Sequence, residues 1–368
     1  MTERMQVDYL LTCEADEDAD AKARGIALEQ TVELPDDCVP DAIRERLVGR
    51  VERLDPLPDR RFHCTISFDS ALFGGELTQL LNTLFGNISL KDGILLTDIR
   101  WPDSVLDTFG GPAHGMDGIR RMTGVPRNQG LLCTALKPVG LSAHALAERA
   151  YAFARGGMDI IKDDHGVANQ VDAPFAERLA ACQEAVTRAN AETGGNSLYF
   201  PNVTAPWPVL EERLQAAKDA GCQGVLISPW LTGLDAMRWA RDHFGLALMA
   251  HPALTGSHFR AEHGISPELL LGDLFRLAGA DASIYPNTGG RFGFGLATCE
   301  AINHRLRYTL GGLPAAAPVP GGGMDAARAR GWLDQYGTDT ILLIGGSLYQ
   351  QGDLTAATET LRTAIGRG

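Results

Sequence analysis

From residue 131 onward, short apolar runs alternate with amphipathic stretches, and the alternation closes at eight. The apolar runs fall at 131–137, 158–164, 197–203, 224–230, 247–251, 282–286, 317–321 and 340–345, with helical patterns at 143–155, 174–193, 207–220, 267–277, 298–309 and 326–336. Continuous apolar runs of strand length separated by helices are the pattern of parallel strands buried on both faces, and eight such units predict a (β/α)8 barrel. The first 125 residues follow a different pattern. There 7–13, 30–34, 62–68 and 95–100 read as strands and 77–85 as a helix, which predicts a small α+β domain of ferredoxin-like type. The segment 120–128, with Gly124 and Pro126, reads as the linker, so the expected organisation is an α+β domain at 1–125 and a catalytic barrel at 126–368.

Composition narrows the function classes. The 368 residues are 45% hydrophobic and 21% charged, ordinary for a globular enzyme of this length. The net charge of -13 is spread along the chain with no Lys/Arg-rich block, which argues against binding nucleic acid. No apolar run approaches the roughly 18 residues that span a bilayer, and the amino terminus is polar, so the expectation is a cytoplasmic protein with no membrane partner. Seven scattered cysteines without a C-x-x-C pair predict reduced thiols and no structural zinc site, with Cys133 an inert thiol in a buried strand.

The candidate chemistry lies where the strands end, because a (β/α)8 barrel builds its active site over their carboxyl ends. Those ends carry Lys137, then Lys162-Asp163-Asp164-His165, Asn202, His251 and Asn287. Side chains alternate along a strand, so Lys162 and Asp164 point one way and Asp163 the other. Taken alone, Lys-Asp-Asp is equally a salt-bridged strand end leading into a helix, with Asp163 or Asp164 as its N-cap. The last two strands open into Gly321-Gly322-Gly323 and Gly345-Gly346-Ser347. Two glycine clusters after strands seven and eight point to a phosphate site, since backbone N–H groups without a neighbouring Cβ can approach an anion closely.

The segment from Leu132 through Lys137-Pro138-Val139-Gly140-Leu141-Ser142, the stretch Gly156-Gly157-Met158-Asp159-Ile160-Ile161-Lys162-Asp163-Asp164, and the two glycine loops are together similar to the RuBisCO superfamily. Gly86-Asn87 and Leu96-Thr97-Asp98-Ile99-Arg100-Trp101-Pro102 resemble its amino-terminal domain. Departures select the branch. Val139 stands where a carboxylase has a second lysine, Pro252 where it has an arginine, and 288–294 lacks the lysine of its lid. The chain therefore resembles a RuBisCO-like protein, the branch that keeps the fold and the enolisation chemistry without carbon fixation. The resemblance implies that Lys162 takes up CO2 as a carbamate and, with Asp164, binds Mg2+, a hard cation that prefers anionic oxygen. His165 occupies the position of the family's third ligand, a glutamate, which leaves three arrangements open: an extra water on the metal, His165 beside the ligands, or a softer ion.

The resemblance further implies proton transfer by Lys137 and His251, and phosphate binding by Arg291, Ser347 and the amides of Gly322, Gly323, Gly345 and Gly346. It also implies a homodimer in which Asn87 of one subunit reaches the other's barrel mouth. The expected substrate is a small phosphorylated sugar. The expected reaction is the methionine-salvage isomerisation of 5-methylthioribulose 1-phosphate to 1-methylthioxylulose 5-phosphate, by removal of a proton alpha to a ketone and stabilisation of the enediolate by Mg2+. Competing expectations are the enolase acting on 2,3-diketo-5-methylthiopentyl 1-phosphate, a decarboxylase of a phosphorylated 3-oxo sugar acid, and a non-catalytic regulatory homologue.

Overall fold

The computed structural model describes residues 3–367. They form two compact units, one made of 3–110, 254–270 and 309–313, the other of 111–253, 271–308 and 314–367. In the first unit strands β1 (Arg4–Thr12), β2 (Arg50–Leu57), β3 (Arg61–Asp69) and β4 (Ile94–Arg100) are accompanied by helices α1 (Ala19–Glu29) and α2 (Leu77–Phe85). Their order is β4-β1-β3-β2, with antiparallel pairing throughout, the ferredoxin-like arrangement that the amino-terminal pattern predicts. Two short strands, Phe259–Arg260 and His263–Ile265, extend the sheet beyond β4.

One expectation for this unit is overturned. The segment 30–34 is not a strand: Gln30 closes α1, and its side-chain amide donates to the carbonyl oxygens of Asn82 and Thr83 at 2.7 and 2.9 Å. The strand that takes its place in the sheet, β2, is an edge strand whose side chains are largely exposed. It needs no apolar alternation, and its sequence shows little.

The second unit is an eight-stranded parallel sheet of β5 (Leu131–Leu136), β6 (Ile160–Asp163), β7 (Leu198–Phe200), β8 (Gly224–Ile227), β9 (Ala247–Ala250), β10 (Ala282–Pro286), β11 (Ala317–Gly321) and β12 (Ile341–Leu343). The order β7-β6-β5-β12-β11-β10-β9-β8 leaves β7 and β8 at its two edges. These edges join just beyond β7, where the Leu226 N–H donates to the Pro201 carbonyl at 2.9 Å and the Val203 N–H to the Leu226 carbonyl at 3.0 Å, closing the barrel. Around it run helices including α3 (Ala143–Arg155), α4 (Phe175–Thr193), α5 (Leu296–Arg307) and α6 (Ala329–Tyr336). Among the described residues, no helix is long and apolar enough to cross a membrane.

Alternate residues fill the barrel, among them Leu131 and Cys133 of β5, Ile160 of β6, Phe200 of β7 and Met249 of β9. This parity matters for the site, because continuing it two residues at a time carries Lys137, Lys162, Asp164 and His251 inward. At the opposite end of the strands, buried carboxylates bind the neighbouring strand. Asp159 accepts from the Leu132 N–H at 2.8 Å, and Asp281 accepts from the N–H groups of Leu248, His114 and Gly115 at 2.7 to 2.8 Å. The 120–128 segment is fastened to the barrel unit by Arg120, whose buried guanidinium donates to the carbonyls of Pro126, Gln129 and Thr338 and to Asp339.

Phe200 reaches across the interior to β8, where a Cβ on Gly224 would lie 2.3 Å from its ring. Gly224→Ala should therefore destabilise the protein by about 1–3 kcal/mol through overpacking. Urea denaturation should show that loss, and Phe200→Leu in the same chain should recover part of it.

Candidate active site

Lys162 is the last inward side chain of β6 and is 2% exposed, its Nζ donating to the Asp163 carbonyl at 3.1 Å. Burial lowers the pKa of its amine, so the neutral form, the one that reacts with CO2, is favoured over an ordinary surface lysine. Asp164 follows on the same face, with Lys137 Nζ at 2.6 Å and the His165 ring nitrogen at 3.6 Å from its Oδ1. Burial by itself would raise the Asp164 carboxyl; the contacts from His165 and Lys137, with the charges of both lysines, outweigh it and hold the group well below the usual carboxylate range.

His251, immediately after β9, stacks on His165 with ring centroids 4.2 Å apart and planes 13° from parallel. Burial, then the nearby positive charge of Lys162, pushes its pKa well below 6.5, so the ring is neutral at pH 7. The Ala253 N–H donates to its Nδ1 at 3.1 Å, which assigns the remaining proton to Nε2. His251 is thus a hydrogen-bond donor at this mouth.

What holds the acidic strand end in place is the residue between the two site groups. Asp163 is fully buried on the outer side of β6 and accepts from Arg178 Nε of α4 at 3.0 Å, from the Tyr199 hydroxyl at 2.8 Å and from the Asn202 backbone N–H at 2.9 Å. Arg178 also donates to the carbonyls of Ala173 and Ala168. The Asn202 side chain donates to those of His165 and Val167 at 3.0 Å. Together they fix both ends of the loop after β6. Of this bracket, sequence reasoning gives the outward direction of Asp163 and notes Asn202, but not Arg178 or Tyr199. The available signal was an arginine one turn into a helix that follows an outward-facing aspartate.

Lys137 is fixed through its backbone: its N–H donates to the Tyr349 hydroxyl at 3.0 Å, and that hydroxyl donates to the Ala135 carbonyl at 2.9 Å. Tyr349 has no signature in the sequence. The glycine loops lie close to this lysine, since a Cβ on Gly345 would sit 4.0 Å from Lys137 Cε. Ser347 donates to the Met324 carbonyl at 3.1 Å, tying the loop after β12 to the one after β11. Gly322 and Gly323 have φ of +87° and +67°, and a Cβ on Gly323 would lie 2.7 Å from Gly290 Cα, so glycine is required where these loops meet. Arg291, next to Gly290, is exposed and its guanidinium lies over the Phe292 ring. Asn87 belongs to the other unit, where its side-chain amide donates to Glu29 at 3.0 Å. Cys133 is buried and its thiol is pushed up to about 12 by burial, consistent with an inert core residue.

Among the described residues no three His, Cys, Asp or Glu side chains are grouped to hold a metal. Asp164 and His165 alone are therefore an incomplete donor set for a hard cation. A carbamate on Lys162 would supply the missing anionic oxygen, and on that condition the residues would fit Mg2+.

A ferredoxin-like sheet and a (β/α)8 barrel whose mouth carries this lysine–aspartate pair and two glycine loops define the RuBisCO class of architecture. The chain matches the family described as ribulose bisphosphate carboxylase large chain, catalytic domain, over residues 99–292, and it belongs to that family. Over 355 residues it is 41% identical to the 5-methylthioribulose-1-phosphate isomerase of Rhodospirillum rubrum, covering 96% of this chain and 93% of the relative. It is 31% identical to a 2,3-diketo-5-methylthiopentyl-1-phosphate enolase of Bacillus pumilus, covering 93% of this chain and 86% of the relative. The crystal structure of a Rubisco-like protein from Rhodopseudomonas palustris superposes with a TM-score of 0.89 at 39% identity, covering 99% of this chain and 97% of that one.

Removing one partner of a buried ion pair leaves a charge without compensation, so Arg178→Met should destabilise the protein by about 3–5 kcal/mol. Chemical denaturation measures this. Asp163→Asn in the Arg178→Met background should recover part of the loss, because the stranded carboxylate is then removed.

Proposed function

We propose that this protein is an isomerase of methionine salvage that converts 5-methylthioribulose 1-phosphate to 1-methylthioxylulose 5-phosphate. The observation that carries the reading is the convergence of Lys162, Asp164, Lys137 and His251 at the carboxyl ends of β5, β6 and β9, with Lys137 Nζ 2.6 Å from Asp164 and His251 stacked on His165. The 41% identity to a protein named as that isomerase supports the choice of substrate. Lys162, as its carbamate, and Asp164 would hold Mg2+, with His165 a ligand or a neighbour of one. When bound, the ion supplies Lewis-acid stabilisation of charge on the substrate's oxygens.

The chain's own groups do the rest. In two successive rounds Lys137, in its free-amine form, takes the proton from the carbon alpha to the ketone and returns a proton to the former carbonyl carbon while the hydroxyl proton passes to the former carbonyl oxygen, so that the carbonyl moves by two carbons and atoms and charge balance. Its backbone ties to Tyr349 hold it beside the reacting carbons. His251 donates a hydrogen bond from Nε2 to a substrate oxygen as that oxygen gains charge. The amides of Gly322, Gly323, Gly345 and Gly346, with Ser347 and Arg291, bind the single phosphate. The site works as a homodimer in which Asn87 of the partner's amino-terminal domain completes the mouth.

The imidazole of His165 in place of a carboxylate ligand favours a second reading, decarboxylation of a phosphorylated 3-oxo sugar acid, and the enolase-named relative keeps the diketo phosphate as a third. Incubation in deuterated water separates them. Under the isomerase reading, 5-methylthioribulose 1-phosphate gains solvent deuterium and becomes the xylulose phosphate with no CO2 released; stoichiometric CO2 from an oxo acid, with the ribulose phosphate left untouched, overturns it. Lys162→Ala should abolish turnover and also the thermal shift produced by Mg2+ with bicarbonate. An unchanged shift would make the protein a non-catalytic homologue.

Sharing of sites between subunits has its own readout. Asn87→Ala and Lys162→Ala chains, each inactive, should regain activity when co-refolded, because a mixed dimer contains one site with both residues intact. Absence of any recovery in demonstrably mixed dimers removes Asn87 from the site.

A further inference from the structure

The loop after β6 puts a nitrogen donor beside Asp164, and its placement bears on which ion the barrel mouth takes. His165 Nδ1 lies 3.6 Å from Asp164 Oδ1. That separation is too long for a hydrogen bond. It is within the span of a shared cation, because two donor atoms each about 2.1 Å from one ion lie up to about 4.2 Å apart. Lys137 Nζ takes one lone pair of the same oxygen at 2.6 Å, which leaves the second for an ion.

The imidazole is held at two points. Its backbone carbonyl accepts from the Asn202 side-chain amide at 3.0 Å, and one face of its ring lies against His251, with centroids 4.2 Å apart and planes 13° from parallel. The rest of the ring is open to solvent, since the His165 side chain is 50% exposed, so an ion can reach it. His251 does not compete as a ligand. Its Nδ1 accepts from the Ala253 N–H at 3.1 Å and its Nε2 carries the proton, which leaves the ring no free lone pair. Among the described residues, no further His, Cys, Asp or Glu joins Asp164 and His165 as a donor group.

Two anionic oxygens and one imidazole nitrogen are not the donor set of a Mg2+ site, which takes oxygen throughout; nitrogen suits first-row transition ions such as Fe2+, Co2+ or Zn2+. We infer that His165 ligates the ion through Nδ1 and that the barrel mouth thereby selects a first-row transition metal ion over Mg2+. This selection rests on the reading above, in which Lys162, as its carbamate, and Asp164 hold a divalent cation, and it names the third protein ligand and the class of ion that follows from it. Carboxylate sites also bind transition ions, so the informative quantity is the change in selectivity when the nitrogen is replaced.

The full-length protein and its His165→Glu, His165→Ala and Lys162→Ala variants, each in bicarbonate, are loaded with Mn2+ for pulsed electron paramagnetic resonance, and their affinities for Mg2+ and Co2+ are measured by calorimetry. Wild type should show the nitrogen hyperfine modulation of a directly bound imidazole, and both His165 variants should lose it. His165→Glu should raise the Mg2+ affinity more than the Co2+ affinity, lowering the Co2+ to Mg2+ ratio by about 10-fold. Because His165 is half-exposed, both of its variants should keep the wild-type Tm in the absence of metal. Mn2+ that binds wild type without nitrogen modulation, and is lost in Lys162→Ala, overturns ligation by His165 while leaving the carbamate–aspartate site standing. An unchanged affinity ratio in His165→Glu overturns the selection in the same way. Failure of all three ions to bind wild type, or binding indifferent to Lys162→Ala, removes the cation site itself and with it the reading on which the selection rests.

Discussion

The candidate active site depends on the buried ion pair between Asp163 and Arg178, 3.0 Å apart on the outer side of β6. A strand must send alternate residues to opposite faces, so Lys162 and Asp164 reach the barrel mouth only if the residue between them is accommodated in the wall. An aspartate there would be costly unpaired, and Arg178, Tyr199 and Asn202 satisfy it with one ion pair and two further hydrogen bonds. The same groups hold the loop that carries His165, so one network sets the position of every acidic or basic group contributed by β6.

The rest of the mouth is arranged by electrostatics more than by shape. Lys162 is buried and driven toward its neutral form, His251 is buried and neutral, and Asp164 is kept ionised by the cations around it. Two basic groups whose pKa values burial lowers thus sit beside one firm anion. The opposite end of the barrel uses the same residue types for another purpose. Asp159 and Asp281 accept backbone N–H groups from neighbouring strands, and there the carboxylates serve the closure of the fold. Position at the carboxyl or amino end of a strand separates the two roles, as the architecture requires.

Family membership covers the whole fold, and the departures from the carboxylase motifs at Val139 and 288–294 are local. Val139 is half-exposed beside Gly166, and 288–294 is an exposed loop whose arginine rests on a phenylalanine ring. Neither change disturbs a strand or a helix contact of the core, which is how one architecture carries different reactions.

The alternation of apolar runs was enough to give all eight barrel strands, because a strand buried on both faces writes its length directly into the sequence. The strand-end residues were equally legible, since parity and the (β/α)8 rule decide which side chains face the mouth. The amino-terminal sheet was read only in part: its edge strand β2 is exposed and carries no apolar code, while the turn at Gln30 is specified by carbonyls more than fifty residues away. Contacts at such separations were decided by the tertiary structure alone. They include the clasp of Tyr349 on Lys137 and the ion pair of Arg120 with Asp339. The physical reason is that a one-dimensional pattern records whether a position is buried and which way it faces, whereas a hydrogen-bond partner is fixed only when the closed barrel brings distant segments within about 3 Å.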